Sequence, residues 1–409
     1  MRFLFVVDRF YPDVSANTVC CDNLLKQFKS LGHQVDVLTI KKNFGDNDID
    51  DYDGSSVFRL DTYHFYWTKK LKKDNWLKIP AFIRKIIGFC YSVKAKFNPY
   101  ALKGYLDTVN VNKLYKTISI VATEPYDGML SFTEPFALQP ICKKLMKKGI
   151  AKKWCTYMLD AFEFNAFHKK VKFKKRVKIA NAMFKDNAKI FAVDGVFYES
   201  DLKGYVPSYK EKVIYTHQPM LTNKGVETVN NGSEVKIVYA GLFYADIRRP
   251  NEMLEVLSNL PKGYQIDIYG DGCEDIVNEK SKLFTKAKLN RNGRISHAEC
   301  LTKIAQSNIL INLGNKGSKQ LPSKVIEYIG FGKPIINFYF DQDDISLSIF
   351  NKYPLVYNFN LSNYTQQDIN ECLKFCEDNK FVQLTYKQAT KNLQDFKIEN
   401  LANMVLKEF

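Results

Sequence analysis

Two short apolar runs open the two halves of the chain in the same way. Arg2-Phe3-Leu4-Phe5-Val6-Val7-Asp8 reads as a strand running into a loop, and Val235-Lys236-Ile237-Val238-Tyr239-Ala240-Gly241 reads as a second one. In the first half an amphipathic helix follows over roughly Thr18 to Leu31. Gly32-His33 ends it, and Val35-Asp36-Val37-Leu38-Thr39 supplies the next strand, which makes a βαβ unit. In the second half the pattern predicts a helix over Asn251 to Leu260, a break at Pro261-Lys262-Gly263, and a strand over Gln265 to Tyr269 that ends at Gly270-Asp271-Gly272. Ile309 to Leu313 is a further strand, Ser323 to Gly330 a helix, and Pro334 to Phe338 another strand.

Strands alternating with helices imply parallel sheets. The fold class is therefore α/β, as two doubly wound domains facing each other across a cleft, with ligand bound at the carboxyl ends of the strands. Pro219, Gly225, Asn230-Asn231-Gly232 and Ser233 mark a linker. The expected division is a domain over 1–215, a linker over 216–233, a second domain over 234–385, and a C-terminal helical segment over 386–409 that returns to the first domain.

Composition narrows the class. The chain has 409 residues, 45% hydrophobic and 25% charged, the balance of a globular protein with large cores. Nine Cys occur without a CxxC pair, as expected of reduced thiols in a cytoplasmic protein. Five His and no HExxH give no expectation of a metal site. The apolar run Phe3 to Val7 is too short for a signal sequence, and no run approaches the roughly 18 residues that span a bilayer.

Charge is uneven. Residues 1–215 carry 37 Lys and Arg against 22 Asp and Glu, so nearly all of the formal +16 lies in the first half. Lys69 to Lys103 holds ten basic residues and one acid, interleaved with Trp76, Phe82, Ile83, Ile86 and Phe89, and Lys143 to Lys178 holds thirteen against Asp160 and Glu163. A cationic, aromatic, amphipathic segment suits an anionic membrane surface, which makes such a surface an expected partner and peripheral attachment the expected location. A solvated basic surface over buried apolar stripes is the alternative. No RRM, KH, zinc or helix-turn-helix signature accompanies the charge, so nucleic acid is not an expected partner.

The candidate chemistry centres on Leu321-Pro322-Ser323-Lys324-Val325-Ile326-Glu327-Tyr328. Ser323 reads as the N-cap of a helix whose start can meet a diphosphate. Glu327 lies one turn on, on the same face as Ser323 and Lys324, from where its carboxylate can accept hydrogen bonds from ribose hydroxyls. A first-turn acid also simply favours the helix dipole, and the residues alone leave both roles open.

The segment from Gly317 through Lys333-Pro334-Ile335-Ile336 resembles the nucleotide-binding signature of glycosyltransferase family 4, retaining enzymes of the GT-B fold that use nucleotide sugars. The resemblance covers most of the chain. It implies that Glu327 holds the ribose of a nucleotide diphosphate sugar, with Ser323 and Lys324 beside it. Lys319 stands eight positions earlier, where that family has a first glutamate. Tyr239-Ala240-Gly241 with Ile247-Arg248-Arg249-Pro250 resembles the family's first C-terminal strand and basic loop. Leu242 replaces the usual arginine, which leaves Arg248 and Arg249 to neutralise the leaving diphosphate. Ile268-Tyr269-Gly270-Asp271-Gly272 resembles the glycine turn near the base. In the first half, Ser15-Ala16-Asn17 stands where relatives have a glycine pair near the donor phosphates. Ser131-Phe132-Thr133-Glu134-Pro135 reads as a cleft loop, and Asp160 ends a strand where relatives carry an acid beside the transferred sugar. Ser296-His297-Ala298-Glu299 matches a capping box, with His297 read as structural.

The resemblance implies a retaining transfer to a glycan, with lipid-linked precursors of a bacterial surface polysaccharide as the expected acceptor and no metal or other cofactor. Two other readings stand beside it: a glycosyltransferase-like binding subunit without turnover, and a sugar-nucleotide 2-epimerase.

Overall fold

A computed structural model of the chain describes residues 1–41, 46–60, 80, 82–83, 86, 89, 111–133, 138–160, 162–163, 172–193, 206–225, 232, 234–317 and 321–409. The chain divides into two compact units, Met1–Pro219 with Ile398–Phe409, and Met220–Lys397.

The first unit contains, in order, β1 (Arg2–Val6), α1 (Ala16–Ser30), β2 (Gln34–Ile40), β3 (Ile49–Tyr52), β4 (Ser55–Leu60), α2 (Val111–Val121), β5 (Tyr126–Thr133), α3 (Gln139–Met146), β6 (Ala151–Met158), α4 (Phe173–Phe184), β7 (Ile190–Val193) and β8 (Val213–Thr216). They form one eight-stranded sheet in the order β3-β4-β2-β1-β5-β6-β7-β8, parallel except for the β3–β4 pair. β1 is central, which explains its unbroken apolar run: Phe3 to Val7 are fully buried. α1 begins at Ala16, two residues before the expected start. Ser15 is its N-cap, and Ser15 and Thr18 satisfy each other's backbone N–H. Its apolar face meets β1 through Phe28, whose ring stands edge-on to Phe3 at 5.0 Å and to Phe5 at 5.2 Å.

The core of this unit also holds an ionisable group. Glu163 is fully buried and accepts a hydrogen bond from the Tyr209 hydroxyl on one oxygen, while its other oxygen has no partner among the described residues. Burial pushes its carboxyl up to about 7, against the opposing pull of the Tyr209 hydroxyl and the Arg176 charge. A raised acid pKa means that the folded state holds a proton the unfolded chain has lost. Its contribution to stability is therefore complete below about pH 4.5 and declines as pH rises to about 7. Glu163→Gln should remove this slope, so the variant gains on the wild type between pH 5 and pH 7.5, by on the order of 3 kcal/mol at most. Urea unfolding midpoints of both proteins across that range check it.

The second unit contains β9 (Val235–Ala240), α5 (Asn251–Leu257), β10 (Tyr264–Tyr269), α6 (Glu274–Lys280), β11 (Lys288–Gly293), α7 (His297–Ala305), β12 (Ile309–Leu313), α8 (Ser323–Ile329), β13 (Ile335–Tyr339), α9 (Ile345–Phe350), β14 (Val356–Asn360), α10 (Gln366–Asn379) and α11 (Tyr386–Ala389). Its sheet is wholly parallel, in the order β11-β10-β9-β12-β13-β14. α5 stops three residues before the expected Leu260, because Ser258 Oγ and Asn259 Nδ2 turn back onto the Glu255 carbonyl. An amide ladder, buried at Asn312 and Asn337 and open to solvent at Asn351, crosses this sheet. Asn312 Nδ2 donates to Asn337 Oδ1 at 2.7 Å, Asn337 to Asn358 at 2.8 Å, and Asn358 to Asn351 at 2.9 Å. The three strand residues are register partners on β12, β13 and β14. Lys333 is buried too, and its Nζ donates to the Ser307 carbonyl at the end of α7.

The end of the chain belongs to the first unit. α12 (Ile398–Leu406) is followed by Phe409, whose ring stands edge-on to Phe3 at 5.2 Å, and Lys153 Nζ reaches the Glu408 carbonyl at 2.7 Å. Two boundaries differ from the expected plan. The first unit extends to Pro219, past β8, and residues 386–397 stay with the second unit, where Lys397 bridges Leu221. The expected continuous helical tail is instead α10, α11 and α12, separated by turns. Residues 226–231 and 233 of the linker lie outside the described residues.

Candidate functional site

In each sheet the strand order reverses once, between β1 and β5 in the first unit and between β9 and β12 in the second. At such a point the loops leaving the two strands diverge and open a crevice. In the second unit the loop leaving β9, 241–250, carries Gly241, Arg248 and Arg249, and the chain beyond β12 leads to the start of α8, which carries Ser323, Lys324 and Glu327.

The loop after β9 is clasped to the loop after β10. Gly241 N donates to Tyr269 O at 3.0 Å and Phe243 N to Asp271 O at 2.9 Å. Gly270 has φ +150°, and a Cβ there would lie 1.8 Å from the Gly241 carbonyl oxygen. Only glycine lets the two backbones approach so closely. Gly270→Ala should cost about 3 kcal/mol or more and lower the melting temperature of this unit by roughly 6–12 °C, measurable by calorimetry.

Arg248 lies further along the first of these loops, in a tight turn in which Arg248 N donates to Tyr244 O at 2.8 Å. Its Nε donates to Asn315 Oδ1 at 2.9 Å, and Nη1 lies 3.5 Å from the Leu242 carbonyl. Asn315 is buried just beyond β12, so this half-buried guanidinium is fixed between the two loops of the switch point. Arg249 is exposed.

Glu327 lies in α8 and is fully buried. Tyr328 ties this helix to the end of β9, with its hydroxyl 3.2 Å from Ala240 N. Gly330, just after the helix, abuts the Thr222 carbonyl, which a Cβ would approach to 2.5 Å. Lys324 Nζ donates to Glu327 Oε2. Glu327 Oε1 has no hydrogen-bond partner among the described residues, although His297 Nε2 lies 3.4 Å from it. Burial opposes ionisation of this carboxyl. The Lys324 charge, the nearby His297 ring and the Lys224 charge outweigh it and hold the group down at about 2. A carboxylate kept ionised inside the protein, with one oxygen open, is a strong acceptor for hydroxyl donors.

One expectation about this segment changes, the position of the helix cap. Ser323 is the first helical residue rather than the N-cap. Pro322 takes the cap position with extended geometry, φ −64° and ψ 130°, and offers no side-chain cap. Lys324 is committed to Glu327. His297, read as structural, faces Glu327, while the capping box it belongs to is made by Ser296 and Glu299. Lys319 lies outside the described residues.

In the first unit, Ser15, Ala16 and Asn17 form the start of α1, and the Ser15 hydroxyl is engaged with Thr18. The same loop carries Tyr11, which stacks on Tyr52 at 4.8 Å, and both hydroxyls are anchored on buried Asp22. Asp160 lies two residues past the end of β6, and its carbonyl accepts from Thr133 Oγ1 at 3.3 Å. Ser131 and Thr133, expected in a loop, are buried within β5, where Ser131 bonds Thr156 and Trp154. Glu134 and Pro135 lie outside the described residues. Of the stretch Lys69 to Lys103, Phe82, Ile83, Ile86 and Phe89 are described as helical and exposed, with Phe89 69% exposed. Of Lys143 to Lys178, residues 161 and 164–171 lie outside the described residues. Among the described residues no group of three or more His, Cys, Asp or Glu is placed to hold a metal ion, and no helix is long and apolar enough to cross a membrane.

No protein-family model matches the chain, and no curated protein sequence matches it. Solved structures match it over its whole length. The sucrose-phosphate synthase of Thermosynechococcus elongatus aligns with a TM-score of 0.64 at 13% identity, over 99% of this chain and 97% of that one. TarM aligns at 0.60 and 12%, over 100% and 98%. HepE of Anabaena, solved with UDP and glucose, aligns at 0.56 and 11%, over 100% and 98%. The fold is GT-B. Within this GT-B chain the second unit gathers two sets of side chains, Arg248 with Asn315 and Glu327 with Lys324 and His297. Asn315 and His297 carry no local sequence signal for these roles. Both meet their partners across long stretches of chain, through contacts that the folding of the second unit creates.

Proposed function

We propose that the protein is a retaining glycosyltransferase that takes a sugar from a nucleotide diphosphate sugar and passes it to a glycan. The observation that carries this reading is Glu327, an ionised, buried carboxylate with one oxygen open, in the unit that also fixes Arg248. In this reading Glu327 accepts the ribose hydroxyls. Arg248, with Arg249, neutralises the diphosphate as the bond from the sugar carbon to phosphate oxygen breaks. The acceptor oxygen bonds to the same face of that carbon, and its proton passes to the departing phosphate oxygen. Such a route asks for clamping and positioning more than for a strong protein base. Asp160 is assigned to the transferred sugar, Ser15, Ala16 and Asn17 to the donor phosphates and acceptor, and Gly241, Gly270, Ser323 and Lys324 to the nucleotide. The likeness to HepE, solved with UDP and glucose, supports a nucleotide-sugar donor.

A lipid-linked acceptor of surface-polysaccharide synthesis and peripheral attachment to the inner face of the cell membrane complete the proposal. The exposed apolar residues Phe82, Ile83, Ile86 and Phe89, one helical face by spacing, within a strongly basic stretch, support this part. Thermal shift against UDP-, GDP-, ADP- and dTDP-sugars, then turnover with the best binder and NMR of the product's anomeric configuration, tests the activity. A panel without a shift and without consumption of any donor overturns it. Flotation with anionic vesicles at low salt tests the attachment, and protein left in the soluble fraction refutes it.

A further inference from the structure

His297 begins α7, thirty residues before Glu327, and its contribution to the helix start is dispensable because Ser296 and Glu299 make the cap. Its ring is a quarter exposed, while Glu327 is fully enclosed. The two meet at 3.4 Å, a long contact that depresses the carboxyl's pKa yet leaves Oε1 without a well-formed hydrogen bond. An unmet buried carboxylate oxygen carries a desolvation penalty, which a donor arriving with a ligand recovers. Two groups 3.4 Å apart also fit a triangle whose third corner lies about 2.8 Å from each, the normal length of a hydrogen bond. A hydroxyl suits that corner because it donates to the carboxylate and accepts from the imidazole N–H with the same oxygen. Lys324 sits on the other carboxylate oxygen, Oε2, so His297 is the group beside Oε1.

We propose that His297 and Glu327 together read one ribose hydroxyl of the nucleotide, with His297 as the donor to its lone pair. This rests on the nucleotide reading above and adds a specificity-determining residue to it. Loss of that hydroxyl leaves Oε1 unmet, so the pair discriminates ribose from deoxyribose.

The test uses the full chain and whichever of UDP, GDP or ADP binds best, with its 2′-deoxy and 3′-deoxy forms, by calorimetric titration. The wild type should prefer the ribonucleotide over one deoxy form by about tenfold or more. His297→Ala should weaken the ribonucleotide about five- to tenfold, leave that deoxy form nearly unchanged and so collapse the ratio. His297→Gln, whose amide N–H can stand in for Nε2, should restore much of it. Thermal unfolding of both variants should stay cooperative, with the midpoint lowered by no more than a few degrees in His297→Ala because Glu327 loses one stabilising neighbour. If His297→Ala keeps the wild-type ratio while Glu327→Ala loses nucleotide affinity, the role of His297 is wrong and the nucleotide reading survives. If Glu327→Ala keeps full affinity, both are wrong.

Discussion

Replacing Glu327 by alanine should leave the protein folded and weaken nucleoside diphosphate binding about 100-fold. In the proposed complex the carboxylate accepts two charge-assisted hydrogen bonds, each contributing about 1.5–3 kcal/mol. The release of Lys324 returns part of that, leaving roughly 2.7 kcal/mol. The fold should tolerate the change. Alanine gives up the stability that the Glu327–Lys324 pair supplies, but Lys324, 23% exposed, can turn to solvent, so no charge is left buried and unpaired. The pH dependence separates binding from stability. Because the folded carboxyl is held far below its ordinary range, Glu327 stays ionised throughout the neutral region, and its protonation should not modulate affinity above pH 5. Its contribution to stability is present above about pH 4.5 and is lost as pH falls towards about 2. Titration calorimetry at pH 5.5 and 8, with unfolding curves for both proteins, decides the matter. An alanine variant with wild-type affinity would falsify the ribose assignment.

Arg248→Ala should lower kcat by a factor of about 100 to 1,000 and change the donor KM far less, because charge on the leaving diphosphate grows mainly in the transition state. The guanidinium is already aimed before any ligand arrives, through Asn315 and the Leu242 carbonyl. Lysine should recover little. An ammonium cannot keep the Nε bond to Asn315 and still present a planar fork of donors. Asn315→Ala should reproduce part of the loss with Arg248 intact. Arg249→Ala should do less than either, since Arg249 is exposed. Steady-state kinetics of the four variants under saturating acceptor gives the ranking. An Arg248→Ala enzyme with unchanged kcat removes Arg248 from the chemistry.

The parts of the fold with strong local patterns were legible in the chain. β1, α1, β2, β9, β10, β12 and β13 follow apolar runs and breakers, and their order implies the parallel sheets. Element ends were harder. α1 starts early because Ser15 and Thr18 cap each other, and α5 stops early because Ser258 and Asn259 fold back, both matters of side-chain geometry. Ser131 and Thr133 look like loop residues by composition, yet they lie inside β5, where Thr156 and Trp154 on β6 bond the Ser131 hydroxyl and Leu159 and Asp160 just beyond it bond that of Thr133. At the site, Glu327 and Arg248 stood out through their surroundings in sequence. His297, Asn315 and Tyr328 did not, since each acts on a partner at least 30 residues away.

The amide ladder across β12, β13 and β14 works as a ruler. A strand that slid by one residue would carry its asparagine to the opposite face and strand two amides among apolar neighbours. The three strands are thereby kept level at their carboxyl ends. Gly317 N can then reach Asp341 at 2.7 Å, and Gly314 lies so close to Asp344 that a Cβ would meet its carboxylate at 2.2 Å. An all-leucine version of the three rungs would gain apolar contact and lose the marking. Its sheet could settle in more than one alignment, and the loop that holds Asn315 against Arg248 would lose its fixed height.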